Sequence, residues 1–140
     1  MDNFNFSVDI QIRMSDLDPF VHVNNGAQCN MFDYGRSSYI EHLQGTPIDW
    51  QQLDLVLVHL ELDFIAPVLM NDTIVCDTKI YEIGNKSLKM IQQLRDKKTN
   101  QVKTICRSVL SGFDRETEQS VAIREDYKRK IRNFENYPNN

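Results

Sequence analysis

Residues 4–14 alternate. Phe4, Phe6, Val8, Ile10, Ile12 and Met14 fall on one side, and Asn5, Ser7, Asp9, Gln11 and Arg13 fall on the other. A period of two marks a strand with one buried face. The stretch from Ser15 to Asn25, rich in Asp and Asn and holding Pro19, reads as a loop. Over 26–43 the period becomes that of a helix: Met31, Gly35, Tyr39 and Leu43 recur every fourth residue, and Phe32, Tyr34 and Ile40 widen the apolar face. A helix apolar around most of its circumference is expected to be wrapped by other structure. Gly35 costs up to ~1 kcal/mol of helix propensity, which implies a close neighbour there. Gln44-Gly45-Thr46-Pro47 supplies the stop.

Four further strands are expected, over 55–65, 73–82, 87–95 and 101–113. The first puts Val56, Val58, Leu60, Leu62 and Phe64 on one face; the second turns Ile74, Cys76 and Ile80 inward; the third aligns Leu88, Met90 and Leu94. Asn71-Asp72, Gly84-Asn85 and the polar stretch 97–100 are hairpin-length links, which favour antiparallel pairing. Ile123, Tyr127, Ile131 and Phe134 form the stripe of a C-terminal helix. The order β-α-β-β-β-β-α belongs to the α+β class: a five-stranded antiparallel sheet around one long helix, plus a short terminal one. Residues 1–136 form one domain, and 137–140 a flexible tail. Such a sheet leaves an edge strand open, so a homodimer or homotetramer is expected.

Composition narrows the function. The chain has 140 residues, 41% hydrophobic and 26% charged, and its net charge of −4 argues against nucleic acid or an anionic membrane as partner. The one basic cluster, Lys128-Arg129-Lys130-Ile131-Arg132, follows Glu125 and Asp126 and reads as a solvated helix face. No apolar run approaches the ~20 residues of a membrane span. Met1-Asp2-Asn3-Phe4 has no signal-peptide character, so a cytoplasmic protein is expected. Cys29, Cys76 and Cys106 lack metal or redox spacing and read as reduced core thiols. His42 and His59 read as structural, and the histidine spacing gives no metal site. No Gly-rich phosphate loop or GxSxG elbow occurs.

The polar density lies in Ser15-Asp16-Leu17-Asp18-Pro19-Phe20-Val21-His22-Val23-Asn24-Asn25-Gly26, immediately before the buried helix. A helix start presents unpaired N–H groups and partial positive charge, so an acyl carbonyl oxygen placed there is stabilised as it gains negative charge. Backbone N–H groups near Asn24, Asn25 and Gly26 are the natural donors, and an upstream carboxylate would attack the carbonyl or activate a water. Thioesters suit so sparse a site, because a thiol of pKa about 8.5 leaves with little help. On the residues alone, Asn24 or Asn25 would serve equally as a helix cap, and Asp18-Pro19 as a turn.

The same stretch resembles the SDxDxxxHVNN signature of hotdog-fold acyl thioesterases, in particular the 4-hydroxybenzoyl-CoA thioesterase group and the plant acyl-ACP thioesterases. The likeness continues through Phe32-Asp33-Tyr34-Gly35-Arg36, Phe64-Ile65-Ala66-Pro67, Asn71-Asp72, Glu82 to Ser87 and Val109 to Phe113. It implies hydrolysis of an acyl-CoA or acyl-ACP to a free acid and a thiol, in lipid metabolism, with a non-catalytic acyl-thioester binder as the alternative. It implies Asp18 as the catalytic carboxylate, His22 and Asn24 as shaping the pocket, and Asn25 as lying where an N–H polarises the carbonyl. Substrate contacts are expected at Gly26, Phe20 and Ser87. The resemblance implies a site between two subunits, no metal and no cofactor, coenzyme A or acyl carrier protein being part of the substrate. This chain departs from the pattern at Val21, where many members have Gly, at Gln28, where an aromatic is usual, and at Phe20, where plant members carry Asn. A hydratase on the same fold fits the HVNN run poorly.

Overall fold

The computed structural model describes residues 3–137. Strands β1 (Phe6–Asp9), β2 (Leu55–Phe64), β3 (Ile74–Ile83), β4 (Ser87–Asp96) and β5 (Val102–Asp114) form one antiparallel sheet in the order β1-β3-β4-β5-β2. A two-residue strand, β6 (Gln119–Ser120), extends the end of β5 and has no counterpart among the expected elements. Helix α1 (Asn25–Gln44) lies on one face, and α2 (Glu125–Glu135) closes the far end of the core.

The first strand is shorter than its alternation suggests. Its ladder to β3 ends where the Ile10 N–H donates to the Ile74 carbonyl at 2.9 Å, although half-burial alternates on to Ile12. Met14 is 74% exposed rather than inward, because a 3-10 turn over Met14–Asp16 breaks the extended run.

The sheet curls around one side of α1. The buried face carries Gln28, Met31, Phe32, Gly35, Arg36, Tyr39 and Ile40, so two polar residues belong to it. Tyr34, expected to widen the apolar face, is exposed because two residues of offset from Phe32 rotate it to the far side. Gly35 lets helix and sheet touch: a Cβ there would meet Cys76 Sγ at 2.4 Å. Beside it the buried Gln92 amide donates to the Phe32 carbonyl and to Thr78 Oγ1, both at 3.1 Å, and its Oε1 accepts from Arg36 at 3.3 Å. Two apolar clusters flank this polar hub, one around Tyr39, Ile80, Leu88, Met90 and Ile131, the other around Phe32, Ile74, Cys76 and Leu94. The helix ends at Gly45, whose φ of 74° is the left-handed conformation glycine tolerates.

In β2 the expected alternation fails half-way. Leu60, Leu62 and Phe64 oppose Ser108, Cys106 and Thr104, but a bulge between Leu57 and His59 leaves Val58 unmatched. Leu57 and Leu55, opposite Leu110 and Gly112, therefore take the helix side in place of Val58 and Val56. The terminal basic cluster is not one solvated face either: Lys128 is buried, its Nζ 3.7 Å from Glu125. Tyr137, the one tail residue described, donates its hydroxyl to the Ile80 carbonyl; 138–140 lie outside the described residues.

Candidate active site

The segment before α1 is a small hairpin. Leu17 bridges Val23, and the Asp18 N–H donates to the His22 carbonyl at 2.8 Å. The Val21 N–H donates to the Asp18 carbonyl at 2.9 Å, closing a turn with Pro19 in its second position. Val21 sits at φ 64°, the left-handed position that glycine fills most readily. Val23 and His22 tie the hairpin to the segment after β2: the Val23 N–H donates to the Val68 carbonyl at 2.8 Å, and His22 bridges Leu69.

Asp18 and Asp16 have different duties. Asp16 is buried, its Oδ2 accepts the Arg13 N–H at 2.8 Å, and its carbonyl accepts the Asn24 N–H at 2.8 Å, so it holds the loop. Asp18 uses Oδ1 to accept the N–H groups of Phe20 at 2.9 Å and His22 at 3.2 Å. Its Oδ2 has no hydrogen-bond partner among the described residues, and the side chain lines a cavity of about 230 Å³ with His22, Val23, Asn25, Gln28 and residues 64–67.

Asn24 caps the helix, its Oδ1 accepting the Ala27 N–H at 2.9 Å, while the Gln28 N–H donates to the Asn24 carbonyl at 3.1 Å. The N–H groups of Asn25 and Gly26 have no acceptor among the described residues. They remain for a ligand oxygen at the positive end of the helix. The buried Gln28 side chain forms a wall: Thr104 Oγ1 donates to its Oε1 at 2.5 Å and its Nε2 donates to the Val23 carbonyl at 3.4 Å.

The expected residues are not all gathered. Asp18, His22 and Asn25 line one cavity, whereas Asn24 and Gly26, which flank Asn25 at the start of α1, are not among its lining residues. Phe20 stands at the turn tip, 78% exposed, and Ser87 begins β4; neither lines that cavity. Gln28 and the wall 64–67 have no site role in the sequence reading. The signal for both lay in the family likeness, which includes the Phe64-Ile65-Ala66-Pro67 run and from which Gln28 departs. A larger hollow of about 360 Å³ lies on another flank of α1, between residues 9–13 and Tyr34, and Asp18 does not line it.

Cys76 and Cys106 are fully buried and Cys29 half-buried, all three free. Burial pushes the Cys76 thiol up to about 12, and the Cys106 thiol up to about 11 despite the Arg36 guanidinium nearby. Neither is a ready nucleophile. Among the described residues no three His, Cys, Asp or Glu side chains gather so as to hold a metal ion. No helix among them is long and apolar enough to cross a membrane.

Residues 12–131 match the model of the thioesterase-like superfamily. The chain belongs to that superfamily. Solved structures agree in fold, which is the hotdog. A thioesterase from Thermus thermophilus, complexed with coenzyme A and Zn, is 24% identical, with a TM-score of 0.85 over 99% of this chain and 100% of that one. A Staphylococcus aureus protein in complex with CoA is 12% identical, with a TM-score of 0.84 over 96% and 86% of the two chains. A 1,4-dihydroxy-2-naphthoyl-CoA thioesterase from Synechocystis is 16% identical, with a TM-score of 0.79 over 90% and 94%. A search of curated proteins finds no match.

Proposed function

We propose that this member of the thioesterase-like superfamily hydrolyses acyl thioesters of coenzyme A, or of acyl carrier protein, to a free acid and a thiol. The observation that carries this reading is that Asp18, whose Oδ2 has no partner among the described residues, lines one cavity with Asn25, whose N–H, like that of the adjacent Gly26, has no acceptor among them. The thioester carbonyl oxygen points at the Asn25 and Gly26 N–H groups, which stabilise it as charge develops. Asp18 acts on the opposite side, taking a proton from the attacking water or attacking the carbonyl itself. Water adds to the carbonyl carbon, the C–S bond breaks, and the thiol leaves with its electron pair and a proton. His22 and the Gln28 amide shape the walls. Coenzyme A is favoured as the thiol half because two of the structurally similar proteins hold it.

The working unit in this reading is a homodimer. Among the described residues one edge of β2 has no neighbouring strand, and Leu57, Val58, Leu60 and Phe64 in that strand are between 39% and 59% exposed. Pairing a second copy there satisfies the backbone groups and covers the apolar row. Sedimentation tests this, a monomer at micromolar concentration counting against it.

The chemical test is thiol release from acyl-CoA substrates, read with a thiol-trapping chromogen. Turnover abolished in Asp18→Asn supports the assignment. Tight acyl-CoA binding by calorimetry without thiol release replaces it with the non-catalytic binder.

A further inference from the structure

The stripe of α1 that carries Asn25 runs on through Cys29, Asp33, Ser37 and Ile40, at helical spacing along one flank. The Asp18 cavity lies at its start, between α1 and the end of β2 at Phe64. A second hollow of about 290 Å³ lies further along, between the same flank and the start of β2; Asp33, Ser37, Ile40, Leu57, Leu110 and Trp50 are among its walls. Asp33 and Ile40 are eight and fifteen residues beyond Asn25, so at 1.5 Å per residue this hollow spans ~12 to ~22 Å from the helix start. Between the two hollows β2 presents Leu60 and Leu62 on the helix side, opposite Ser108 and Cys106.

The charge in this wall is already paired. Arg36 is buried, with Nη1 donating to Asp33 at 2.6 Å and Nη2 to Gln92 Oε1 at 3.3 Å. A neutralised guanidinium does not draw in an anionic guest. The rest of the lining is mainly hydrocarbon, supplied by α1, β2, β5 and the α1–β2 connection with Ile48, Trp50 and Leu53. An uncharged apolar guest fits it.

We propose that this hollow is the far end of the acyl site, so that the protein prefers long aliphatic acyl thioesters to short-chain or aryl ones. Ser37, Ile40, Leu57 and Trp50 are its chain-length determinants. The proposal rests on the reading of the Asp18 cavity as the thioester site. With the carbonyl at Asn25, a butyryl or benzoyl group ends short of the hollow and a dodecanoyl chain enters it.

Trp50 is the sole tryptophan and is 63% exposed, so its emission reports on this hollow directly. The non-hydrolysable thioethers S-dodecyl-CoA and S-butyl-CoA are titrated into the full chain, with calorimetry to register binding. S-dodecyl-CoA is expected to shift Trp50 emission to the blue and S-butyl-CoA to leave it unchanged. If both bind while Trp50 stays silent, the far-end proposal is overturned and the thioester site survives. If neither binds, both fall. In Ser37→Leu, which fills the hollow and improves helix propensity, the ratio of kcat/KM for dodecanoyl-CoA over butyryl-CoA is expected to fall tenfold or more. Ile40→Phe provides a second variant. An unchanged ratio in either folded variant overturns the proposal.

Discussion

Asp18 and His22 are joined twice: the Asp18 N–H donates to the His22 carbonyl at 2.8 Å, and the His22 N–H donates back to Asp18 Oδ1 at 3.2 Å. One carboxylate oxygen thus holds the turn, and the other, without a hydrogen-bond partner among the described residues, is left to act on a substrate. The amide oxygen of asparagine would serve the first role but not the second. Asp18→Asn is therefore expected to keep its thermal unfolding profile while losing about 10²- to 10⁴-fold in turnover. Undiminished thiol release in the folded variant would falsify the assignment.

The same turn stores strain. Val21 is a β-branched residue at φ 64°, and with 62% exposure its side chain has little packing to lose. Left-handed backbone costs a residue other than glycine about 1–2 kcal/mol. Glycine's greater freedom when unfolded offsets part of that. Val21→Gly is expected to gain about 1 kcal/mol, read as a higher urea midpoint at unchanged slope.

Asn24 links stability to chemistry. Its side chain satisfies the Ala27 N–H, which fixes where the first free N–H groups of α1 lie. Asn24→Ala is expected to cost about 1 kcal/mol and to lower kcat as the first turn frays. Asn24→Asp retains the cap and most of the stability. Equal kcat in the wild type and Asn24→Ala would separate the cap from the donors.

Gly35 and Cys76 form a size-restricted contact. Gly35→Ala places a methyl group 2.4 Å from Cys76 Sγ, and overpacking of this kind costs about 1–3 kcal/mol. Adding Cys76→Ala removes the obstructing sulfur, so the double variant is expected to be more stable than the sum of the two single effects. Strict additivity in the double-mutant cycle contradicts the contact.

Acid stability is expected to depend on Asp77. Burial pushes its carboxyl up, but hydrogen bonds from Arg95, Ser7 and Gln93 outweigh that and hold it below the usual carboxylate value. A depressed carboxylate stabilises the fold fully above its unfolded value of about 3.9, and the contribution disappears as pH falls through the lower folded value. Asp77→Asn is expected to flatten the loss of stability below about pH 4, measured as urea midpoints from pH 7 to pH 2.5. An identical pH profile for both proteins refutes this role.

Element types were readable from period alone, because Phe6, Val8 and Ile10 alternate without interruption and Tyr39, Leu43 and Gly45 mark a helix and its stop. Gly35 correctly announced a close contact. What stayed hidden depends on pairing across the sheet. Nothing local marks Val58 as surplus, since the bulge is defined only by how Leu57 and His59 meet β5. Gln28 stood out only as a departure from the family pattern, and its place in the wall depends on Thr104, far along the chain, which lies within 2.5 Å. The polar burst from Asp16 to Asn25 was legible as one cluster, and the family likeness singled out Asp18, but the duty of Asp16, which holds the loop while Asp18 lines the cavity, rests on contacts that no local pattern shows.

The surplus residue in β2 also bears on how the protein diverges. Phe64 borders the cavity of Asp18, and Leu55 and Leu57 border the hollow at Ile40, on opposite sides of Val58. A one-residue slip in the stretch before the bulge is absorbed there rather than transmitted along the whole strand. Descendants of this sequence are free to remodel one end of β2 while Phe64 keeps its station, a modularity written into a single unpaired valine.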